Sequence, residues 1–346
     1  MKIIYACRKK IYFAAALLLL ICFVIALTHS GGSCTVTVTD ALDTVSDITV
    51  YGGLNSRKTA EGCADIIRKY DSLLSVSRPE SEICRFNSSD SGFRFSDEVY
   101  GMIKSCNDLY LDTNGSFDIT VGAVSKLWAA AFLSQKLPDS DKLVKASALT
   151  DYSSLVFDDD SNTVTKTVPG QEISAGAVAK GFISDKIADY LKTENVRGAL
   201  IDLGGNIYVC GNNGKKNSWN IGIQNPNDSS ALVGLLTLDS GFVITSGDYQ
   251  RFMISDGVRY HHILDAKTGY PARSGIRSVT IVSDNGFAGD SLSTACFIAE
   301  LEKGIELVKK NSAYAVFVTE NNDVFYSKEL EEIFTKSDGS FSYIAF

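Results

Sequence analysis

The sequence predicts an α+β fold, with mixed and largely antiparallel sheets flanked by helices. Three observations carry this. Short apolar runs crowd the stretch after residue 199, as antiparallel strands do. Helical stripes at spacings of three and four stand apart from them, in the first half and again near residue 290. No regular β-α-β alternation and no GxGxxG links the two, which disfavours a doubly wound nucleotide-binding sheet.

The chain begins with a targeting element. Lys2, Arg8, Lys9 and Lys10 precede an apolar run from Ile11 to Leu27, long for a signal peptide and at the short edge for a membrane span. Positive-inside orientation places the rest outside the cytoplasm. Cys34, after Gly-Gly-Ser, is a candidate acylated residue, so the expectation is a lipid or helix anchor over residues 1–33, a tether over 34–44 and one domain over 45–346. The net charge is −8, and all the charged groups of the first 33 residues are positive, so the remainder is more acidic still. No basic stripe exists to neutralise phosphates, which excludes nucleic acid as a partner. The cysteines are scattered without a CxxC pair, giving neither metal site nor disulfide scaffold; Cys63, Cys106 and Cys296 sit at apolar helical positions and read as small core residues.

Asp47 to Gly52 reads as a strand, and Ala60, Cys63, Ile67, Tyr70 and Leu74 form one helical stripe. Arg78-Pro79 then halts regular structure, and the polar loop around it either presents donors to a ligand or is simply solvated. Ser96 is placed to cap a helix with Val99, Met102, Cys106 and Leu109 inward. Gly115 to Trp128 is expected to pass from a short strand into a helix, with Trp128 either in the core or walling a flat ligand. Ile183, Ile187 and Leu191 mark another helix, at whose start AGAVAKG permits close backbone approach while Lys180 adds positive charge. That chemistry suits phosphate, although the Walker A spacing is absent and close helix packing explains the small residues equally well.

Gly204-Gly205 marks a tight turn between two strands. The stretch Tyr260 to Ala272 holds His261 and His262, then Asp265, Lys267, Thr268 and Gly269; strand alternation sends the two histidines to opposite faces, so at most one serves a given pocket. In the late helix, apolar nearly all round, Asp290 and Thr294 share a face. Either Asp290 caps the helix, or these oxygens hold a hard cation completed by phosphate oxygens.

Taken together, seven segments in this order resemble the ApbE family of FAD:protein FMN transferases: SVSRPESEICRFN (75–87), GSFDITVG (115–122), AGAVAKGFISD (175–185), LIDLGGNIYVCG (200–211), TSGDYQRF (245–252), HHILDAKTGYP (261–271) and GDSLSTA (289–295). The resemblance implies an ApbE-like, T-fold-like architecture and Mg²⁺-dependent transfer of FMN from FAD to a threonine or serine hydroxyl of an extracytoplasmic redox protein, releasing AMP. It implies Asp290, Thr294 and the Ala177 carbonyl as metal ligands, and His262 as base with Asp265 orienting its loop. Ser81, Glu82, Asp118, Trp128, Lys180, Gly204, Gly205 and Thr268 would form the flavin pocket. Three positions depart from the family pattern: Ser77 replaces a common aromatic residue, Ala266 a proline and Asn206 a frequent acidic residue. Ser77 keeps open a second expectation, an FAD pyrophosphatase giving FMN and AMP. A third is an FAD-carrying surface protein without turnover.

Overall fold

Nine strands that follow one another along the chain also lie side by side in space. They are β1 (Ser33–Val38), β2 (Ser46–Tyr51), β3 (Gly198–Leu203), β4 (Asn206–Gly211), β5 (Gly241–Gly247), β6 (Ile276–Ser283), β7 (Tyr314–Thr319), β8 (Asp323–Tyr326) and β9 (Ser342–Ala345). Every neighbouring pair is antiparallel except β8 and β9. The computed structural model describes residues 32–52, 55–337 and 339–346, so the expected anchor lies outside the described residues. Among the described residues, no helix is long and apolar enough to cross a membrane.

Alternation along these strands divides the core in two. Tyr208, Phe242, Ile244, Ala315 and Phe317 face a layer of helices, while their neighbours Val209, Val243, Val316 and Val318 face a three-stranded sheet of Trp219–Asn225, Asp228–Leu238 and Phe334–Lys336. The helical layer includes α1 (Ser56–Leu74), α3 (Ala179–Thr193), α4 (Gly286–Ile298) and α5 (Leu301–Lys310). A further helix, α2 (Gly122–Ser134), packs with Ser140–Ser147 and the hairpin residue Met253 in a smaller cluster.

Three expectations need correction. Residues 34–44 are not a free tether, because the alternating Thr and Val residues of 35–38 form β1 and pair with β2 from Ser33↔Tyr51 to Val38↔Ser46. Residues 115–120 form turns rather than a strand, since Asp118 captures the nearby N–H and hydroxyl of Thr120. Ser96 stands at the helix N-cap, but its hydroxyl does not cap the helix; it donates to Glu82 instead. The cysteine reading holds: Cys63, Cys106 and Cys296 are buried free thiols, and burial pushes the Cys63 thiol up to about 12.

Candidate active site

The site begins where α3 crosses α4 with almost no side chain between them. A Cβ on Gly181 would come within 2.2 Å of the Gly286 carbonyl, and one on Gly286 within 2.5 Å of the Gly181 carbonyl. Only glycine at both positions permits this approach. It brings Asp290 onto the first turn of α3, where its Oδ2 accepts the Gly181 N–H at 2.8 Å. Gly181 stands in the first turn of the helix, where the N–H groups find no intrahelical carbonyl, so Asp290 supplies the acceptor from another element. Among the described residues nothing donates to the Ala177 carbonyl, which stands just before the helix.

Asp290 is 4% exposed, and burial pushes its pKa up, opposed by the Lys180 ammonium and the neighbouring Asn206 amide. Asn206 is itself 1% exposed, yet neither amide atom completes a hydrogen bond of good geometry. One turn along α4, Thr294 Oγ1 has only a long 3.5 Å contact with Ser246 Oγ, which is bonded at 2.8 Å to Ser293. A carboxylate oxygen of Asp290, the Ala177 carbonyl and the Thr294 hydroxyl each lack a short hydrogen-bond partner among the described residues. This donor set fits a small hard cation that keeps water and substrate oxygens in its remaining positions. It does not fit a soft metal: among the described residues, no three His, Cys, Asp or Glu side chains gather as a ligand cluster.

Lys180, half-buried on the same turn, makes no hydrogen bond or ion pair among the described residues, and its charge acts on Asp290, Asp202 and His262. Asp202 accepts the Gly205 N–H at 2.8 Å and so shapes the Gly204-Gly205 turn, where both glycines take positive φ (62° and 95°).

His262 closes the site from the other side. Its N–H and its Nδ1 both meet the carbonyl of Arg251, at 3.1 and 3.3 Å. A carbonyl only accepts, so Nδ1 carries the proton and the Nε2 lone pair is free. Crowding by protein and then the Lys180 charge push the imidazole pKa down, opposed by the bond to the Arg251 carbonyl. His261 has the opposite fate. It is 4% exposed, its Nε2 lies 3.0 Å from the Ala272 carbonyl, its Nδ1 accepts from Ile263 and Phe297 packs on its ring.

Several residues expected in the pocket serve the scaffold instead. Ser81 is fully buried: its hydroxyl donates to the Ser75 carbonyl at 2.6 Å and accepts the Cys84 N–H, capping a short helix. Glu82 accepts from Ser96. Asp118 has both oxygens engaged, by Thr120 and by the Tyr152 N–H at 2.9 Å. Trp128 is 1% exposed, stacked on Tyr260, with its indole N–H donated to the Gly269 carbonyl at 2.8 Å; no ring face remains for a ligand. Asp265 orders its own turn through the Lys267 N–H and makes no hydrogen bond to His262; Thr268 is exposed on that turn, where its hydroxyl accepts the Tyr270 N–H. Conversely, the Arg251 carbonyl that orients His262 and the Gly181 N–H that fixes Asp290 are backbone groups, for which side-chain patterns give no signal.

Two clefts stand near this centre without being lined by Asp290 or His262. One of about 500 Å³ runs between Tyr110, Asp118, Asp151 and Lys267. Another of about 330 Å³ lies behind His261.

A sequence profile of the ApbE family matches residues 42–318. An FAD:protein FMN transferase of Klebsiella pneumoniae (strain 342) is 34% identical over 283 residues, spanning 81% of this chain and 88% of that protein. One from Treponema pallidum (strain Nichols) is 31% identical over 261 residues, 71% and 72% of the two chains. Among solved structures, the ApbE protein of Thermotoga maritima superposes with a TM-score of 0.80 at 29% identity, covering 89% of this chain and all of that one. The flavin transferase ApbE of Vibrio cholerae superposes with a TM-score of 0.75 at 24% identity, covering 88% and 99%, and supports the fold.

Proposed function

This chain belongs to the ApbE family and is an FAD:protein FMN transferase, and from that premise we propose how its residues divide the work. FAD is the substrate. The acceptor is a threonine or serine hydroxyl on a redox protein outside the cytoplasm, and the enzyme is held at the membrane by its first residues. What supports the location is the charged and then apolar start of the sequence.

The observation that carries the site assignment is the Gly181–Asp290 bond, which ties a buried carboxylate to the first turn of α3, next to the Lys180 ammonium and shortly after the undonated Ala177 carbonyl. Asp290, Thr294 and the Ala177 carbonyl would hold Mg²⁺, which when bound neutralises phosphate charge. Lys180, without an ion pair of its own, holds a non-bridging oxygen of the FAD pyrophosphate. The Gly204-Gly205 turn brings backbone close to the substrate. His262 Nε2 takes the proton of the accepting hydroxyl as its oxygen attacks the phosphorus of the FMN half. The bond from that phosphorus to the bridging oxygen breaks, and AMP leaves with the electron pair. Asp265 acts one step removed, by fixing the turn that follows His262.

The test is incubation with FAD, Mg²⁺ and an FMN-binding acceptor domain. Flavin fluorescence covalently attached to the acceptor, with one AMP per label, is the expected result. Free FMN and AMP without labelled acceptor would make the chain a pyrophosphatase, and retention of intact FAD with neither product would make it a carrier.

A further inference from the structure

The end of the central sheet where β1 begins is basic, and it lies opposite the candidate site. Ser33 pairs with Tyr51, Tyr51 with Gly198 and Gly198 with Gly211, so the starts of β1 and β3 and the ends of β2 and β4 stand side by side. At the other end of the same strands Val38 pairs with Ser46, Ser46 with Leu203, and Asn206 with Ile244. The Gly204-Gly205 turn joins β3 to β4 there, and Asn206 lies beside Asp290. The length of β3, Gly198–Leu203, therefore separates the start of the sheet from the site, about 20 Å at roughly 3.3 Å per residue.

Five cations gather at that basic end. Arg57 and Lys58 stand exposed on the first turn of α1, which follows β2. Arg197 immediately precedes β3 and lies along Gly52, where a Cβ would come within 2.7 Å of its Cγ. Lys215 and Lys216 stand exposed on the loop after β4. That loop is ordered by its own asparagine: Asn213 Oδ1 accepts the Lys215 and Lys216 N–H groups at 3.0 and 2.9 Å, and the Asn213 N–H donates to the Lys216 carbonyl at 3.2 Å. The ammonium groups of Lys58, Lys215 and Lys216 make no hydrogen bond or ion pair among the described residues. Against the five cations stand Glu61, taken by Arg57 at 2.9 Å, and Glu194, which accepts the Thr59 hydroxyl at 3.2 Å. The cluster is assembled from three distant segments, so it shows no stripe along the sequence. On a chain whose net charge is −8, positive charge held at one end gives the molecule a preferred direction towards an anionic surface.

We propose that this end of the sheet lies on an anionic lipid surface, with Lys58, Lys215 and Lys216 at the headgroup phosphates, and holds the active site facing away from the membrane. The inference rests on the membrane location proposed above. The occupant follows from where the apolar run ends: five residues lead from Leu27 to Gly32, and they span at most about 18 Å even when fully extended. A lipid on Cys34 would bring β1 closer still. Either anchor therefore delivers this end, rather than the acidic remainder of the chain, to the surface, where each nearby lysine or arginine is attracted by anionic headgroups. The catalytic groups then stand the length of the strands away from the lipid.

The full chain is incorporated into vesicles of a zwitterionic phospholipid, alone or mixed with an anionic one, and its lysines are labelled with an amine-reactive reagent and read by mass spectrometry. The expected result is labelling of Lys58, Lys215 and Lys216 slowed about fivefold or more by the anionic lipid, and restored to within about twofold by salt near 1 M, where the Debye length is about 3 Å. Lys142 and Lys145, on the helix that packs with the hairpin before His262, should label alike in both lipids. Lys215→Glu/Lys216→Glu, checked for unchanged melting, should free Lys58 in the anionic vesicles, and Lys215→Arg/Lys216→Arg should keep it protected. Equal labelling of the three lysines in the two lipids, or equal slowing at Lys142 and Lys145, overturns the proposal. Flotation judges the location separately. A chain that floats with both lipids but shows no protection keeps its anchor and loses this face. One that floats only with the anionic lipid, and no longer after Lys215→Glu/Lys216→Glu, loses the anchor and keeps the face; one that floats with neither loses both.

Discussion

Lys180 serves two neighbours whose needs differ. Its charge opposes the desolvation of Asp290, favouring the ionised carboxylate, and it disfavours protonation of His262, favouring the free base. An imidazole with a lowered pKa stays neutral above that value. The transfer rate is therefore expected to be level from neutral to mildly alkaline pH and to fall only well below pH 6.5, the ordinary imidazole value. Lys180→Ala should lower the rate and move this acid limb to higher pH; a limb that stays put would mean that Lys180 does not reach His262. Asp290 gives a prediction that needs no turnover. A carboxyl whose folded-state pKa lies above its unfolded value is destabilising when ionised, so the cost is present at neutral pH and fades as pH falls through the folded pKa. Asp290→Asn can still accept the Gly181 N–H, and should melt a few degrees higher than the wild type at pH 7, at about 2–4 °C per kcal/mol, with the advantage shrinking under acid. Added Mg²⁺ should raise the melting temperature of the wild type but not of the variant. A variant that melts lower at pH 7 would show that the carboxylate is not under strain.

At the level of elements, the site depends on how closely two helices cross. Gly181→Ala would drive its Cβ into the Gly286 carbonyl and into Asp290 Cβ, 2.5 Å away, neither of which is a flexible side-chain end. The helices must separate, and the expected loss is about 1–3 kcal/mol or more in urea unfolding, together with FAD-dependent activity. Wild-type stability in this variant would show that the crossing is loose. The same crossing explains what was legible beforehand. AGAVAKG announced the close backbone approach, and strand alternation separated His262 from His261. Side-chain patterns did not reveal the framework partners of Ser81, Asp118 and Trp128, for one physical reason. A serine that caps, an aspartate that closes a turn and an indole that donates to a backbone carbonyl have the composition of ligand contacts, and only the tertiary partner distinguishes the two uses. Tyr152 and Gly269 supply such partners from distant segments, Ser75 and Thr120 from within a local turn.

For the molecule as a whole, the consequential difference is at the start of the domain. A boundary at residue 45 discards β1 and the turn after it. Val38 and Ala41 would go, at 0% and 5% exposed, and β2, whose Ile48 and Val50 are fully buried, would become the sheet edge. The turn is also bound to α1, since the Leu42 N–H donates to Asp71 Oδ1 at 2.9 Å while Arg78 engages both Asp71 and the Asp40 carbonyl. Each buried aliphatic side chain is worth about 1.5–3 kcal/mol, against a total stability on the order of 5–15 kcal/mol for a typical domain. Cys34, the candidate acylation point, lies inside β1 opposite Val50, so a chain that starts there loses the Ser33↔Tyr51 pair and the long 3.4 Å bond from the Gly52 N–H to the Gly32 carbonyl, and keeps the rest of β1. A protein starting at residue 34 is accordingly expected to unfold at the same urea concentration as one starting at residue 32. A protein starting at residue 45 should lose a few kcal/mol and expose a strand edge that promotes association. Equal urea midpoints for the starts at 34 and 45 would mean that β1 contributes nothing. A large gap would mean that any anchor attached at Cys34 would pull directly on the edge of the central sheet, through a structural strand rather than a flexible leash.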